Sequence, residues 1–509
     1  CLVVLCFVLL FSSTCLAQPQ PASVRDLIVI GLGENIGLQV QALNIPVSKA
    51  EIDVNSAAFD PELFAAAAYA DSVSPIASSL SLLEKVESDQ LTGEMGVRQK
   101  YRSGLLANLS LNSEWVDDND LSASLAPRYR TSLNLQLTQP LLRNFGQSVN
   151  TSNLRLAMNK NEQASLQHLL QAQSLALQIE LSAAKLSGEA RIQLLRREAV
   201  TLAYDLYEAN KRRFDAGVIP VSEVQEAETA LANRELNLSL ARQAKEIYVE
   251  ALNRLLNHSL SFDFDGSSLY PFPEKLSSFD LPTTEQMFIA ARERNVRLQL
   301  AAIDVQNSEI QQSYYRNQVK PQLDLNVQAG INGLSGDERS SASSRYDGTW
   351  FDSFSDTAEA DGYQWGAGIE FSLPLGNRAA KSKLLQADLQ HRQANYQQRD
   401  LETELRSELQ QQVINLQRAF DQVKIAQRFE RLAELSLQQE QRRLEEGLSD
   451  TFRIISFQDN MINAKIGRIN ALIQYYAAAA QLSFTRGTIL DKHSITLPTA
   501  TKESSGGTL

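Results

Sequence analysis

Residues 147–214 hold no proline and carry an almost unbroken apolar seam: Leu177, Leu181, Ala184, Gly188, Ile192, Leu195, Ala199, Leu202, Leu206 and Ala209. The steps of three and four along it have the near-heptad period of a coiled coil. As one helix, at about 1.5 Å per residue, the stretch reaches roughly 100 Å. Helices inside compact domains seldom attain half that length. The chain must therefore build long helices that pack on one another, with Ala and Gly in the seam allowing close approach.

The same helix occurs twice, because the chain is a duplication. Asn35, Leu38, Gln39 and Pro61 return as Asn295, Leu298, Gln299 and Pro321, each offset by 260. Pro140-Leu141 returns as Pro374-Leu375 at offset 234, and "RRFDAG" (212–217) as "RRLEEG" (442–447) at offset 230. Asn233/Asn463 and Leu252/Leu482 keep that last register. Each copy predicts the same order of parts. A helical stretch (33–58; 284–318) leads to a strand (61–72; 321–330), a variable loop and a second strand (131–140; 363–374). A long helix (147–214; 378–444), a glycine turn and a return helix (222–257; 452–486) complete it. The first repeat is placed at 18–257 and the second at 284–490, with a linker at 258–283.

The strands alternate apolar and polar residues. Leu323, Leu325, Val327 and Ala329 alternate with Gln322, Asp324, Asn326 and Gln328. Trp365, Ala367, Ile369, Phe371 and Leu373 do the same, as do Leu133, Leu135 and Leu137. A period of two over roughly ten residues fits a half-buried strand in a soluble sandwich or a membrane strand with one lipid face and one wet face. The long helices favour the membrane reading. Four strands cannot close a barrel, and an open sheet in lipid leaves backbone unpaired. Several copies must then share one barrel, and three copies of four strands give twelve.

Residues 1–17, "CLVVLCFVLLFSSTCLA", are uncharged, apolar and too short to span a bilayer. They end in a small-x-small site and read as a secretory signal peptide clipped at its start. Lipidation at Cys15 is the alternative reading. All three cysteines lie in this segment, which leaves no disulfide framework or thiolate site beyond it. His168, His258, His391 and His493 are scattered without ligand spacing. No later run of apolar residues is long enough for a transmembrane helix. A net charge of −12 argues against a nucleic-acid partner.

One stretch imitates a cofactor site. In "RDLIVIGLGENIGLQV" (25–40), an apolar run precedes Gly31, Gly33 and Gly37, and Asp53 follows at ribose-binding distance. The glycines are one residue too far apart for the fingerprint, and no second parallel strand follows. The better comparison is with the second copy, where Ala291-Arg292-Glu293-Arg294 precedes Asn295 without glycines. The stretch reads as the entry to a repeat's first helix. No catalytic or metal-binding constellation is found, and no cofactor is expected.

Taken together, "GLGENIGLQV" and "ARERNVRLQL", "LNLQLTQPLLRNFG" and "IEFSLPLGNRAA", and the tips "RRFDAGVIPVSEVQEAETALANRE" and "RRLEEGLSDTFRIISFQDNMINAKIGRINALIQYY" resemble the TolC-like outer-membrane efflux protein family. The resemblance covers about residues 25–490. It implies an α+β membrane protein: a homotrimer whose twelve-stranded β-barrel in the outer membrane continues as an α-helical barrel through the periplasm. It implies no enzyme, but a passive conduit working with a periplasmic adaptor and an inner-membrane RND or ABC transporter. Leu133, Leu135, Leu137, Leu323, Leu325, Val327, Trp365, Ile369, Phe371 and Leu373 then face lipid. The tips Gly217, Val218, Ile219 and Gly447, Leu448, Ser449 then receive the adaptor, although a plain helix–turn–helix accounts equally for the glycines. Gate candidates beside them are Glu223, Asp450, Arg453 and Ser456, where Arg453 and Ser456 stand in place of the acids usual in the family. The arginine pairs 212/213 and 442/443 read as helix C-terminal caps rather than ligands.

Two further expectations concern loops. Residues 73–130 form the long loop of the first copy, and the alternation within "GLLANLSLNSEW" reads as an extended hairpin in preference to an extra strand at 103–115. Residues 333–362, with seven acids, read as an exposed outer loop. The tail 491–509 reads as disordered. The alternative to a channel is a secreted periplasmic coiled-coil scaffold with a soluble β-domain.

Overall fold

The computed structural model describes residues 23–75, 84–120, 123–261, 264–273, 282–339 and 345–496. The signal peptide, Cys15 and the tail from 497 onward lie outside the described residues. The first repeat runs α1 (Val24–Glu34), α2 (Ile36–Ala42), α3 (Asn44–Ser56), β1 (Glu62–Pro75), β2 (Lys85–Lys100), β3 (Leu106–Asp118), β4 (Leu125–Pro140), α4 (Gln147–Asn150), α5 (Ser152–Asp215) and α6 (Val221–Leu256). The second runs α7 (Thr284–Arg294), α8 (Val296–Gln318), β5 (Gln322–Glu338), α9 (Trp350–Glu359), β6 (Gly362–Ser372), α10 (Arg378–Glu445), α11 (Thr451–Thr485) and α12 (Ile489–Lys492). Contacts divide the chain into two units: one holds residues up to Leu43, Ser165–Gln299 and Asp400 onward; the other holds Asn44–Ala164 and Leu300–Arg399.

In the second unit, all six strands form one antiparallel sheet in the order β1-β2-β3-β4-β5-β6. The four strands expected per chain are thereby corrected to six. The difference is the hairpin β2–β3, which occupies the stretch expected to be a loop. Its turn returns at the end of the sheet where β1 begins and β4 ends: Gln99 donates to the Phe59 carbonyl (3.0 Å), and Gly146 N–H to Ser103 (3.1 Å). The alternation in β2 is diluted by Glu87, Asp89 and Gly93, which hides it from a hydropathy pattern. The register keeps one face apolar across the sheet. Leu63, Val97, Leu109, Leu135, Ala329 and Trp365 form one row, and Ala65, Met95, Leu111, Leu133, Ile331 and Tyr363 the next. On the other face a row runs Glu62, Arg98, Asn108, Gln136 and Gln328, with Arg98 and Glu62 ion-paired at 2.7 Å. The pleat thus sorts the side chains of all six strands into one apolar and one polar surface.

The other unit is helical, and each repeat enters it in the same way. Asn35 ends α1 and caps α2: its Oδ1 accepts the Leu38 N–H (2.9 Å), and its amide donates to the Leu255 carbonyl at the end of α6 (2.9 Å). Asn295 ends α7, accepts from Leu298 (3.3 Å) and donates to the Thr485 carbonyl at the end of α11 (3.2 Å). Gln39 and Gln299 reach back to the carbonyls of Gly33 and Glu293. The residues that reveal the duplication are thus the ones that dock each repeat's first helices on its return helix. The run Leu27–Ile30 that imitates a strand is helical, and helix α1 begins at Val24, ahead of the expected 33. Gly31 lies against Ile179, whose side chain a Cβ at Gly31 would meet at 2.4 Å. The glycine serves helix packing.

The core of this unit gathers Leu27, Ile28, Leu38, Ala172, Ala176, Ile179, Leu186, Val249, Leu252 and Leu256, with Phe264 and Tyr270 of the inter-repeat segment packed into it. Glu180, 1 % exposed, lies within it. Its carboxylate is ion-paired with Lys492 and lies 3.1 Å from His493 Nε2. The expected disorder is therefore corrected for 491–496: this segment folds back on α5, and Ile495 joins the core. Burial pushes the Glu180 carboxyl upward, but the His493 hydrogen bond and the Lys492 charge outweigh it and hold the group below its ordinary value. A depressed carboxyl contributes stability above the unfolded pKa and loses it as pH falls through the lower folded value. Glu180→Gln leaves Lys492 without its charge partner and is expected to cost about 1–3 kcal/mol, with the loss growing smaller toward acid pH. Hydrogen exchange at 489–495 checks this: unchanged protection would show that the pairing does not hold the segment.

Candidate functional site: the paired helical tips

The hairpins α5–α6 and α10–α11 turn by the same motif. At the first, Val218 N–H bonds the Arg213 carbonyl (2.8 Å) and Gly217 N–H the Phe214 carbonyl (2.7 Å). At the second, Leu448 bonds Arg443 (2.8 Å) and Gly447 bonds Leu444 (3.0 Å). Gly217 and Gly447 take φ of +78° and +73°, as this left-handed helix stop requires. Val218 and Leu448 are 66 % and 63 % exposed, while Ile219 and Ser449 are half-buried. The tips therefore present an apolar side chain each to solvent, with exposed Phe214 and Phe452 nearby.

A polar network joins the two tips. Buried Asn210 donates to the Thr451 hydroxyl (2.8 Å) and to the Glu223 carbonyl (3.2 Å). Thr451 in turn donates to the Glu223 carboxylate (2.7 Å). The threonine hydroxyl is thus both acceptor and donor, and Glu223 bonds across to the second repeat. A second network stays within the α10–α11 tip. Glu440, 5 % exposed, accepts from Ser449 (2.5 Å) and has Arg443 at 3.8 Å and Arg453 at 4.0 Å. Arg453 lies equally far from Asp450 (4.0 Å), whose carboxylate caps α11 by accepting the Arg453 N–H (2.8 Å). Ser456 bonds only the Phe452 carbonyl, one turn back. Of the four gate candidates, the structure brings Asp450 and Arg453 together, while Glu223 engages Thr451 and Ser456 stays on its own helix.

Sequence reasoning missed Asn210, Glu440 and Thr451, yet a signal exists. The offset of 230 that aligns the tips also aligns Asn210 with Glu440. Each repeat keeps one polar residue buried at that position. Further along, Arg234, 3 % exposed, bonds the Ala199 carbonyl and pairs with Asp459 at 3.3 Å, tying α6 to α11. Burial lowers the Arg234 pKa, opposed by the Asp459 charge.

The residues expected to face lipid share the apolar face of the sheet. Leu133, Leu135 and Leu137 lie on β4, Leu323, Leu325 and Val327 on β5, and Trp365, Ile369 and Phe371 on β6, with Leu373 just beyond it. Trp365 (76 %) and Ile369 (68 %) are among the most exposed large apolar residues. No helix among the described residues is long and apolar enough to cross a membrane.

Residues 289–488, most of the second repeat, match the family described as outer membrane efflux protein. The whole fold is shared with solved outer-membrane channels. The Campylobacter jejuni CmeC outer membrane channel superposes with a TM-score of 0.63 at 15 % identity, covering 92 % of this chain and 86 % of that one. The outer membrane protein VceC of Vibrio cholerae gives 0.61 at 13 % identity, covering 91 % and 96 %. The open state of the Neisseria gonorrhoeae MtrE outer membrane channel gives 0.59 at 14 %, covering 92 % and 90 %. No curated protein sequence matches the chain. The fold is that of the TolC-like outer-membrane channels, and the second repeat carries the efflux-protein family's pattern.

The inter-tip network generates a test. Thr451→Val keeps the shape but leaves Asn210 and Glu223 without their shared partner, at about 1–3 kcal/mol. Faster hydrogen exchange is expected at 208–224 and 449–455, with the sheet unaffected; unchanged exchange at the tips would show that the network does not hold them together.

Proposed function

We propose that the protein is the outer-membrane conduit of a tripartite export system, a passive channel from periplasm to exterior that opens at its helical tips. The observation that carries this is the sheet: six strands with a continuous apolar face, ending in two edge strands, β1 and β6, each paired on one side. In lipid, open edges leave backbone groups unsatisfied at several kcal/mol each, so the sheet is complete only when β6 of one copy meets β1 of the next. With the trimeric state implied by the family resemblance, three copies of six strands close an eighteen-stranded barrel. Barrel diameter grows roughly linearly with strand number, and barrels of about 16–18 strands leave an aqueous channel. The polar face, with Arg98, Glu62, Asn108 and Gln136, then lines water. Heat-modifiable trimers, running as a slower band on unheated gels that collapses to monomer on heating, found in detergent-extracted outer membrane, are the expected result. A periplasmic monomer would establish the scaffold reading.

The exposed tips, with Val218 and Leu448 outermost, are the proposed docking points for a periplasmic adaptor that couples the channel to an inner-membrane RND or ABC transporter. We assign the closed state of the gate in part to Arg453, set between Glu440 and Asp450. Pairs at this distance and exposure are weak and screened by salt. Arg453→Ala is expected to raise the conductance of reconstituted channels, and high salt to have a similar effect on the unaltered protein. Unchanged conductance would remove Arg453 from the gate.

A further inference from the structure

The segment expected to be an exposed outer loop, 333–362, contains helix α9, and the helix lies on the apolar face of the sheet. Its contacts follow one row of the register, Ser113, Thr131 and Gly333, next above the row of Leu111, Leu133 and Ile331. Trp350 Nε1 donates to Ser113 on β3 (2.8 Å). The Ser353 hydroxyl lies 2.7 Å from that of Thr131 on β4, and Thr357 donates to the Thr131 carbonyl (3.1 Å). At Gly333 on β5, a Cβ would meet the Ser353 carbonyl at 2.3 Å and the Thr357 nitrogen at 2.5 Å, so only glycine admits the helix so closely. Asp356 accepts the Leu334 N–H (3.1 Å), an edge donor beyond the last β5–β6 pair, Asn332–Gly362. The helix therefore runs crosswise over β3, β4 and β5 and covers the first row that lacks large apolar side chains.

One flank of α9 is aromatic. Trp350 packs edge-on against Phe351 (5.1 Å) and Phe354 (4.7 Å), and Phe351 is 75 % exposed. Tyr363, 73 % exposed, follows the helix on β6. The row beyond α9 holds Tyr69, Trp115 and Tyr129. Below, the apolar face continues along β5 from Ile331 to Leu323, about 26 Å of strand at the usual rise, comparable with the roughly 25 Å apolar band of membrane barrels. A helix lying across the strands at the edge of such a band, with Trp350, Phe351 and Phe354 on one flank and Asp352, Asp356 and Glu359 on the other, has the composition of an interfacial element.

We infer that α9 is an in-plane interfacial helix, seated on the outer wall of the barrel at the headgroup level of the lipid, where Trp350, Phe351 and Phe354 anchor the sheet against vertical movement. Contact with lipid, rather than with a protein, follows from the continuity of the aromatic cluster with the apolar face. This rests on the reading of the sheet as membrane-embedded, and the test separates the two. The chain has three tryptophans, Trp115, Trp350 and Trp365. The variant W115F/W365F leaves Trp350 as the sole reporter, and W115F/W350F leaves Trp365 on the apolar face of β6. Both are reconstituted as the full chain in vesicles of phosphatidylcholine brominated at shallow or deep acyl positions. Trp350 is expected to lose about half its emission to shallow bromines and little to deep ones, at an interfacial depth of about 5–10 Å, with Trp365 quenched in the same vesicles. Trp365 quenched by lipid but Trp350 reached only by aqueous acrylamide would overturn the proposal for α9 alone. Neither tryptophan quenched by bromolipid would overturn the membrane reading of the sheet as well. Trp350 shielded from both quenchers would show that protein covers the helix, and would equally overturn it.

Discussion

An antiparallel sheet with one apolar face is stable in lipid only if every backbone donor and acceptor along it finds a partner. In this chain the ladder runs unbroken from β1 to β6 and stops there, so the outermost rows of peptide groups on β1 and β6 are the unmet requirement. On the proposed membrane reading of the sheet, closure among copies follows from that requirement. The aromatic and apolar exposure of β6 and the exposure of β1 at every residue but Phe64 are consistent with surfaces that remain to be covered.

The helical unit solves a different problem by repetition. Two copies of an asparagine, Asn35 and Asn295, perform the same pair of hydrogen bonds, each capping one helix and holding the end of another. Two copies of a glycine stop, Gly217 and Gly447, reverse the long hairpins. The two copies also differ where the tips meet. Asn210 and Glu440 occupy equivalent positions, but the amide bridges to the other repeat while the carboxylate serves its own turn. The two tips are thus built alike and bonded differently.

Much of this was legible in the residues. The heptad seam and the absence of proline located α5 and α10 to within a few residues, because a long helix leaves a long periodic record. The glycine turns and the strands β4, β5 and β6 were legible for the same reason. What escaped is where the local signal is mixed. Strand β2 carries Glu87, Asp89 and Gly93 on its otherwise apolar face, and register with β1 and β3 compensates for what its own alternation lacks. Helix α9 sits in a segment whose seven acids and serines read as solvated loop, yet Thr349 with Asp352 forms a capping box that starts a helix. Residues 491–496 look like a polar tail until Glu180, far away in sequence, supplies the charge that Lys492 and His493 meet.

The added hairpin β2–β3 comes as a pair. A single extra strand would have inverted the direction of every strand after it and sent the chain out of the wrong end of the sheet. Two strands return the chain to its starting end, so α4 and everything beyond it can keep their course. The circumference of such a barrel can therefore change only in steps of two strands per copy, and by six at once in a trimer. Strand number in this architecture is then a quantised property that one repeat can alter while its twin keeps a single hairpin.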